Sequence, residues 1–253
     1  PGFENYNIMK LGFWPGGDRD GNPFVTADIT SDVADELRIT LMKCYYNDLK
    51  KLQQKLTFSG LQDDINELRA NLYNAMFNPK KRVGYQDIIG PLNEIRAILI
   101  ARYNSLYLSE LDYFMDKVRI FKTHFATLDI RQDHSMHTKV VSDILLKNGL
   151  IKESLDDLSE NELIDILLHK NLHLKVEDFT EEITIDTIRN ISQLKAIQET
   201  NGEEGCNRYI ISNSEDIFSV LFVYGLFRWC GWNAKEITFD IVPLFETMKG
   251  MEE

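Results

Sequence analysis

The sequence predicts a mostly helical protein with a small parallel sheet, laid out as part of a (β/α) barrel with long helical insertions. Three observations carry that reading. Apolar residues recur every three or four positions through most of the chain, and four short segments break the rule. Each of the first three such segments runs into a helical pattern, the order that joins parallel strands through helical crossovers rather than hairpins.

Residues 8–14 read as the first strand, a short apolar run that ends in a loop rich in glycine, proline and aspartate. Ser31 and Asp32 then read as the N-cap of a long helix, with Asp35 and Glu36 placing negative charge in its first turn. That helix carries Leu37, Leu41, Tyr45, Leu49, Leu52 and Leu56 on one face. After Gly60 the stripe resumes at Leu61, Ile65, Leu68 and Leu72 as a second helix. A turn is expected over 78–82, then a pattern from Ile95 to Phe121 that fits one helix or two. Residues 125–130 read as the second strand. Ser159 and Glu162 form a capping box ahead of Leu163, and the stripe from Ile188 to Ile197 stops at Asn201-Gly202. Residues 208–211 are the third strand; at 237–244 Ile237, Phe239 and Ile241 alternate with polar neighbours as the fourth. The whole of 1–253 is read as a single domain, with a helical insertion over about 31–122.

Composition narrows the function classes. A net charge of −12 and the lack of any basic stripe argue against nucleic-acid binding, because the long-range field repels a phosphate backbone. A few converging arginines can still hold a small anion, since close contacts outweigh screened distant charge. The most apolar stretch, from Ile217 to Cys230, is broken by Ser219, Gly225 and Arg228, so no membrane role is expected. Cys44, Cys206 and Cys230 are widely spaced and odd in number, which suits neither a disulfide framework nor a zinc site and points to a reducing, cytoplasmic setting.

Three stretches carry candidate chemistry. The first, Phe13-Trp14-Pro15-Gly16-Gly17-Asp18-Arg19-Asp20-Gly21-Asn22-Pro23, is a tightly bent loop. Pro23 and Ile29 stand where a calcium loop needs glycine and glutamate, and no Gly-Lys-Ser/Thr follows for a phosphate loop. A structural turn with an internal Asp/Arg pair is the plain alternative. The second runs from Thr127 to Thr138, where Arg131 closes a strand and offers a planar fork to a phosphate or carboxylate; its plain alternative is a buried Asp129–Arg131 pair. His134 and His137 share a helix face but lack a third ligand at matching spacing, so they are read as surface or capping residues. The third, from Phe239 to Thr247, ends a strand on Glu246, which suits a hard divalent ion or equally the start of a helix.

Taken together, these stretches resemble phosphoenolpyruvate carboxylases: the Gly-Gly-Asp-Arg-Asp-Gly-Asn-Pro loop ending at Pro23, the Asp-Ile-Arg-Gln segment with His137-Thr138, and Pro243-Leu244-Phe245-Glu246-Thr247, in the family's order. Pro15 stands where relatives often carry methionine. The resemblance implies a (β/α) barrel enzyme, a carbon–carbon lyase of the cytoplasm. Such an enzyme converts phosphoenolpyruvate and bicarbonate to oxaloacetate and phosphate with Mg2+ or Mn2+, by way of carboxyphosphate and the enolate of pyruvate. It further implies Glu246 as a metal carboxylate, Arg131 as the catalytic contact to substrate phosphate, and Trp14 and Leu244 as apolar walls. Asp18, Arg19 and Asp20 are implied to shape the loop, and a full-length enzyme of this kind is expected to be a homo-oligomer. No match to the family's Thr-Ala-His-Pro, Ser-Asp-Ser-Ala-Lys or Gly-Arg-Gly-Gly segments occurs here. The expectation is therefore an internal segment of a longer enzyme, inactive by itself. The rival expectations are a helical binding or scaffold module derived from the same fold, and another barrel enzyme acting on pyruvate or a related enolate.

Overall fold

The computed structural model describes residue 6, residues 8–78 and 82–248, and residue 251. In chain order the elements are β1 (Gly12–Phe13), α1 (Ala27–Gln53), α2 (Gln62–Phe77), α3 (Tyr85–Arg102), α4 (Leu108–Phe121) and β2 (Thr127–Asp133). There follow α5 (His134–Lys147), α6 (Glu160–His169), α7 (Glu182–Asn201), β3 (Arg208–Ser212), α8 (Ile217–Trp229) and β4 (Asp240–Pro243). The fold is mostly helical, with a small four-stranded parallel sheet in the order β1-β2-β3-β4. β2 pairs with β3 so that Arg131 lies opposite Ile210, and β3 pairs with β4 so that Ile211 lies opposite Pro243.

The chain forms two compact units. Unit 1 comprises 1–12, 34–127 and 197–205, and takes in nearly all of the helical segment expected at 31–122; unit 2 comprises 13–33, 128–196 and 206–253. Unit 1 is built on the leucine stripes: Leu49, Leu56, Leu61, Ile65, Leu68 and Leu72 belong to one buried cluster with residues of α3 and α4. The pattern between Ile95 and Phe121 resolves into two helices. Asn104, Ser105 and Tyr107 all adopt left-handed backbone angles, which an α-helix cannot continue through. The Arg96 guanidinium ties the pair together, with Nε 2.7 Å from the Asp112 carboxylate.

In unit 2 the apolar helix α8 packs against α5, α6 and β4. Asp216 caps it, its carboxylate accepting from the Phe218 N–H at 2.8 Å. The capping box at Ser159 and Glu162 starts α6 as the sequence predicts.

Several boundaries differ from expectation. α1 begins at Ala27, one turn before the expected N-cap, and Ser31 and Asp32 lie inside it. Two features explain the earlier start. The Thr26 hydroxyl accepts from the Ile29 N–H at 3.4 Å, and the distant Asp186 carboxylate accepts from the Ala27 N–H at 2.8 Å. The first strand shrinks to Gly12–Phe13; Ile8, Met9 and Leu11 are exposed, so nothing buries the side chains that suggested it. The second strand starts late, because Phe125 has a φ of +67°, and extends to Asp133. The turn expected at 78–82 falls mostly outside the described residues.

Among the described residues no helix is long and apolar enough to cross a membrane. All three cysteines are free thiols, and burial raises the pKa of Cys230 to about 12.

Candidate anion site at the end of the second strand

The site is assembled in unit 2 where the Gly-Gly-Asp-Arg-Asp loop lies along β2. The loop folds back on Trp14, whose carbonyl accepts from the Gly17 and Asp18 N–H groups at 2.8 and 2.9 Å. It then pairs with the strand in both directions. The Arg131 N–H donates to the Gly17 carbonyl and the Arg19 N–H donates to the Arg131 carbonyl, each at 2.8 Å, a short parallel bridge outside the regular sheet.

The approach is too close for any residue but glycine at position 17. A Cβ there would sit 1.9 Å from the Asp129 carbonyl oxygen, a backbone atom that cannot swing aside. Gly17→Ala is accordingly expected to cost about 3 kcal/mol of stability, the upper part of the overpacking range. Urea unfolding checks it; an unchanged midpoint would mean that the loop can lift off the strand without penalty.

The bridge delivers two carboxylates to the Arg131 guanidinium. Asp20 Oδ2 lies 2.9 Å from Nη2 and Asp18 Oδ2 lies 3.5 Å from Nη1. Glu246, beyond the end of β4, adds Oε1 at 3.1 Å from Nη2. The Trp14 ring closes the group, its centroid 5.2 Å from the guanidinium carbon, and the Trp14 Nε1–H donates to Asp129 at 3.2 Å. One donor is left over: Arg131 Nε is buried and has no acceptor among the described residues. One guanidinium against three carboxylates gives the cluster a formal charge of −2.

The structure thus brings Trp14, Asp18, Asp20, Arg131 and Glu246 together. Leu244 joins β3 through its backbone instead, donating to the Ile211 carbonyl at 2.9 Å and accepting from the Ser214 N–H at 3.1 Å. Arg19 belongs to neither group. Its side chain is buried and makes an ion pair with Asp186 in α7, so the loop has no internal Asp/Arg pair. The Asp129–Arg131 pair is not formed either, because Asp129 accepts from Arg208 Nε at 2.8 Å. Asp186 is the residue that the sequence reading missed. It stands in the second turn of α7 with no motif around it, and only the folded chain brings it to Arg19.

Among the described residues no three His, Cys, Asp or Glu side chains are placed to share a divalent ion, and the Glu246 carboxylate pairs with Arg131 at 3.1 Å. The two histidines of α5, expected at the surface or as caps, do not both lie there: His137 is fully buried, and Asp133 caps the helix. His134 stacks on Phe222 at 6.0 Å, and the fully buried His137 has Nε2 3.0 Å from the Tyr209 hydroxyl.

Burial, with the nearby charges of His134 and Arg19, lowers the His137 pKa to about 3. The unfolded chain therefore binds a proton that the folded chain refuses between about pH 6.5 and 3, so stability falls as pH drops through that window. The contribution approaches about 1.4 kcal/mol per pH unit. His137→Gln should remove this part of the acid sensitivity, seen as a shallower loss of unfolding free energy between pH 7 and 5; an identical pH profile would show that His137 protonates freely in the fold.

Comparison with known proteins agrees with the family resemblance. The sequence model described as "Phosphoenolpyruvate carboxylase" matches residues 2–83 and 74–253, almost the whole chain. The chain belongs to the phosphoenolpyruvate carboxylase family. Curated phosphoenolpyruvate carboxylases that it resembles include those of Aeromonas salmonicida, 28% identical, and Nitrosomonas eutropha, 25% identical, each alignment covering 96% of this chain. That of Vibrio parahaemolyticus is 28% identical over 93% of the chain. The chain spans about three-tenths of these phosphoenolpyruvate carboxylases, covering 30%, 31% and 30% of their lengths.

Proposed function

We propose that this chain supplies the phosphate-binding arginine of an enzyme that carboxylates phosphoenolpyruvate with bicarbonate, giving oxaloacetate and phosphate. The observation that carries the reading is Arg131, held at the C-terminal end of a parallel strand, with one buried donor unused. Its four-stranded sheet would then be one part of a (β/α) barrel, whose strand ends are where such folds place their chemistry.

In that reaction the phosphoryl group passes from the enol oxygen to a bicarbonate oxygen, leaving carboxyphosphate and the enolate of pyruvate. The enolate carbon then bonds to the carboxyl carbon as phosphate departs. Arg131 would grip the phosphoryl oxygens through its planar fork and stay on them as negative charge shifts toward the enol oxygen. Trp14, stacked against the guanidinium, and Leu244, two residues before Glu246, would offer the apolar surface that keeps stray protons from the enolate. Magnesium or manganese chemistry would need ligands other than those gathered around Arg131.

One observation favours a second reading, a non-catalytic binding module derived from the same fold: both Nη groups of Arg131 already face carboxylates. Oxaloacetate formation from phosphoenolpyruvate and bicarbonate separates the two readings, measured for this chain and for the longest natural protein that contains it. Bicarbonate-dependent product from the longer protein, lost on Arg131→Gln, supports the enzyme; no product from either supports the binding module.

A further inference from the structure

We propose that Asp18 and Asp20 restrain this anion site by competing with the ligand for Arg131, so that an anion is held only as far as its own contacts to the guanidinium outweigh theirs. The inference deepens, and rests on, the reading of Arg131 as an anion contact.

The two aspartates are fixed, whereas Glu246 is not comparably tied down. Their loop is bonded to β2 through both neighbours of Asp18, and the Gly16 carbonyl accepts from the Thr30 hydroxyl at 2.8 Å. Gly16 itself packs so tightly on Val33 that a Cβ would meet its side chain at 2.6 Å. Below the loop, Arg19 is anchored to Asp186. Glu246 comes from the segment after β4 and is the most exposed of the three carboxylates, at 35% against 30% for Asp18 and 21% for Asp20. It is the group that yields first.

Its departure opens the side of the fork that matters. Nη2 and Nε–H point the same way from a guanidinium and together match two oxygens of one phosphate. Nη2 is shared by Asp20 and Glu246, while the buried Nε–H has no acceptor among the described residues. A buried donor without a partner is costly, and a phosphate oxygen would satisfy it. With Glu246 gone, the two aspartates still leave the cluster one negative charge in excess. An incoming anion must therefore recover repulsion from a fixed pair of carboxylates through its own contacts. That repulsion weighs about twice as heavily on a phosphate dianion as on acetate, so removing one aspartate charge should favour phosphate more than acetate.

Calorimetric titration of inorganic phosphate and of acetate into the purified chain at pH 8 tests this, with wild type compared against Asp20→Asn and Arg131→Gln. Wild type should bind both only weakly. Asp20→Asn should bind phosphate about tenfold more tightly with a smaller gain for acetate, and Arg131→Gln should bind neither. Asp18→Asn, whose carboxylate stands farther from the guanidinium, should show a smaller gain in the same direction, and it provides the result should Asp20→Asn fail to fold. If the asparagine variants bind phosphate no better than wild type while Arg131→Gln abolishes binding, the competition is overturned and the anion contact stands. If phosphate binding is absent throughout, or survives Arg131→Gln, the anion contact itself is wrong and the inference goes with it.

Discussion

Arg19→Met is expected to lower the free energy of unfolding by about 3–5 kcal/mol, the range for removing one partner of a buried ion pair. The Arg19 side chain is only 4% exposed, and its partner Asp186 would be left charged and poorly solvated at 22%. The damage should spread, because the other oxygen of Asp186 accepts from the Ala27 N–H and satisfies the first turn of α1. Replacing both partners, Arg19→Met with Asp186→Leu, should therefore recover only part of the loss. Urea unfolding of the three proteins decides the matter. A loss below about 1 kcal/mol for Arg19→Met would place the pair among solvent-screened surface contacts.

Arg131→Gln should reduce kcat/KM for phosphoenolpyruvate by about 30-fold to several thousand-fold, equivalent to roughly 2–5 kcal/mol for truncating one side of a desolvated charge contact. The assay belongs in the longest natural protein that contains this sequence. How the loss divides is informative. A rise in KM alone would mean that Arg131 holds the phosphoryl group equally before and during transfer; a fall in kcat would mean that its grip tightens as charge moves. Full activity in the variant would remove Arg131 from the site.

The elements governed by local rules were legible in the sequence, and those governed by distant partners were not. The leucine stripes of α1 and α2 and the capping box of α6 obey spacing that any window of a dozen residues contains. The start of α1 does not. Ser31 and Asp32 satisfy the local rule for an N-cap, yet the helix begins earlier because Asp186 reaches Ala27 from a helix far along the chain. The first strand is shorter than its apolar run for a related reason: residues 8–14 look like a strand until Ile8, Met9 and Leu11 prove to be unburied. At the site, the strand-end position of Arg131 could be read from the run of apolar residues before it. That Asp18 and Asp20 turn to Arg131 while Arg19 turns away follows from the alternation of side chains along the bridge with β2. No spacing rule could reveal that pairing between segments so far apart in sequence.

The distances along the chain at which these contacts close have a kinetic consequence. Arg131 meets Glu246 across 115 residues, Arg19 meets Asp186 across 167, and Asn213 reaches Asp133 across 80. Each closure must overcome the entropy of a long loop before its own contacts reward it, whereas the helical hairpins of unit 1 join near neighbours. The helices should accordingly form first and the guanidinium cluster last, so that a folding intermediate would show most of the final helical circular dichroism while its Arg131 still faced water.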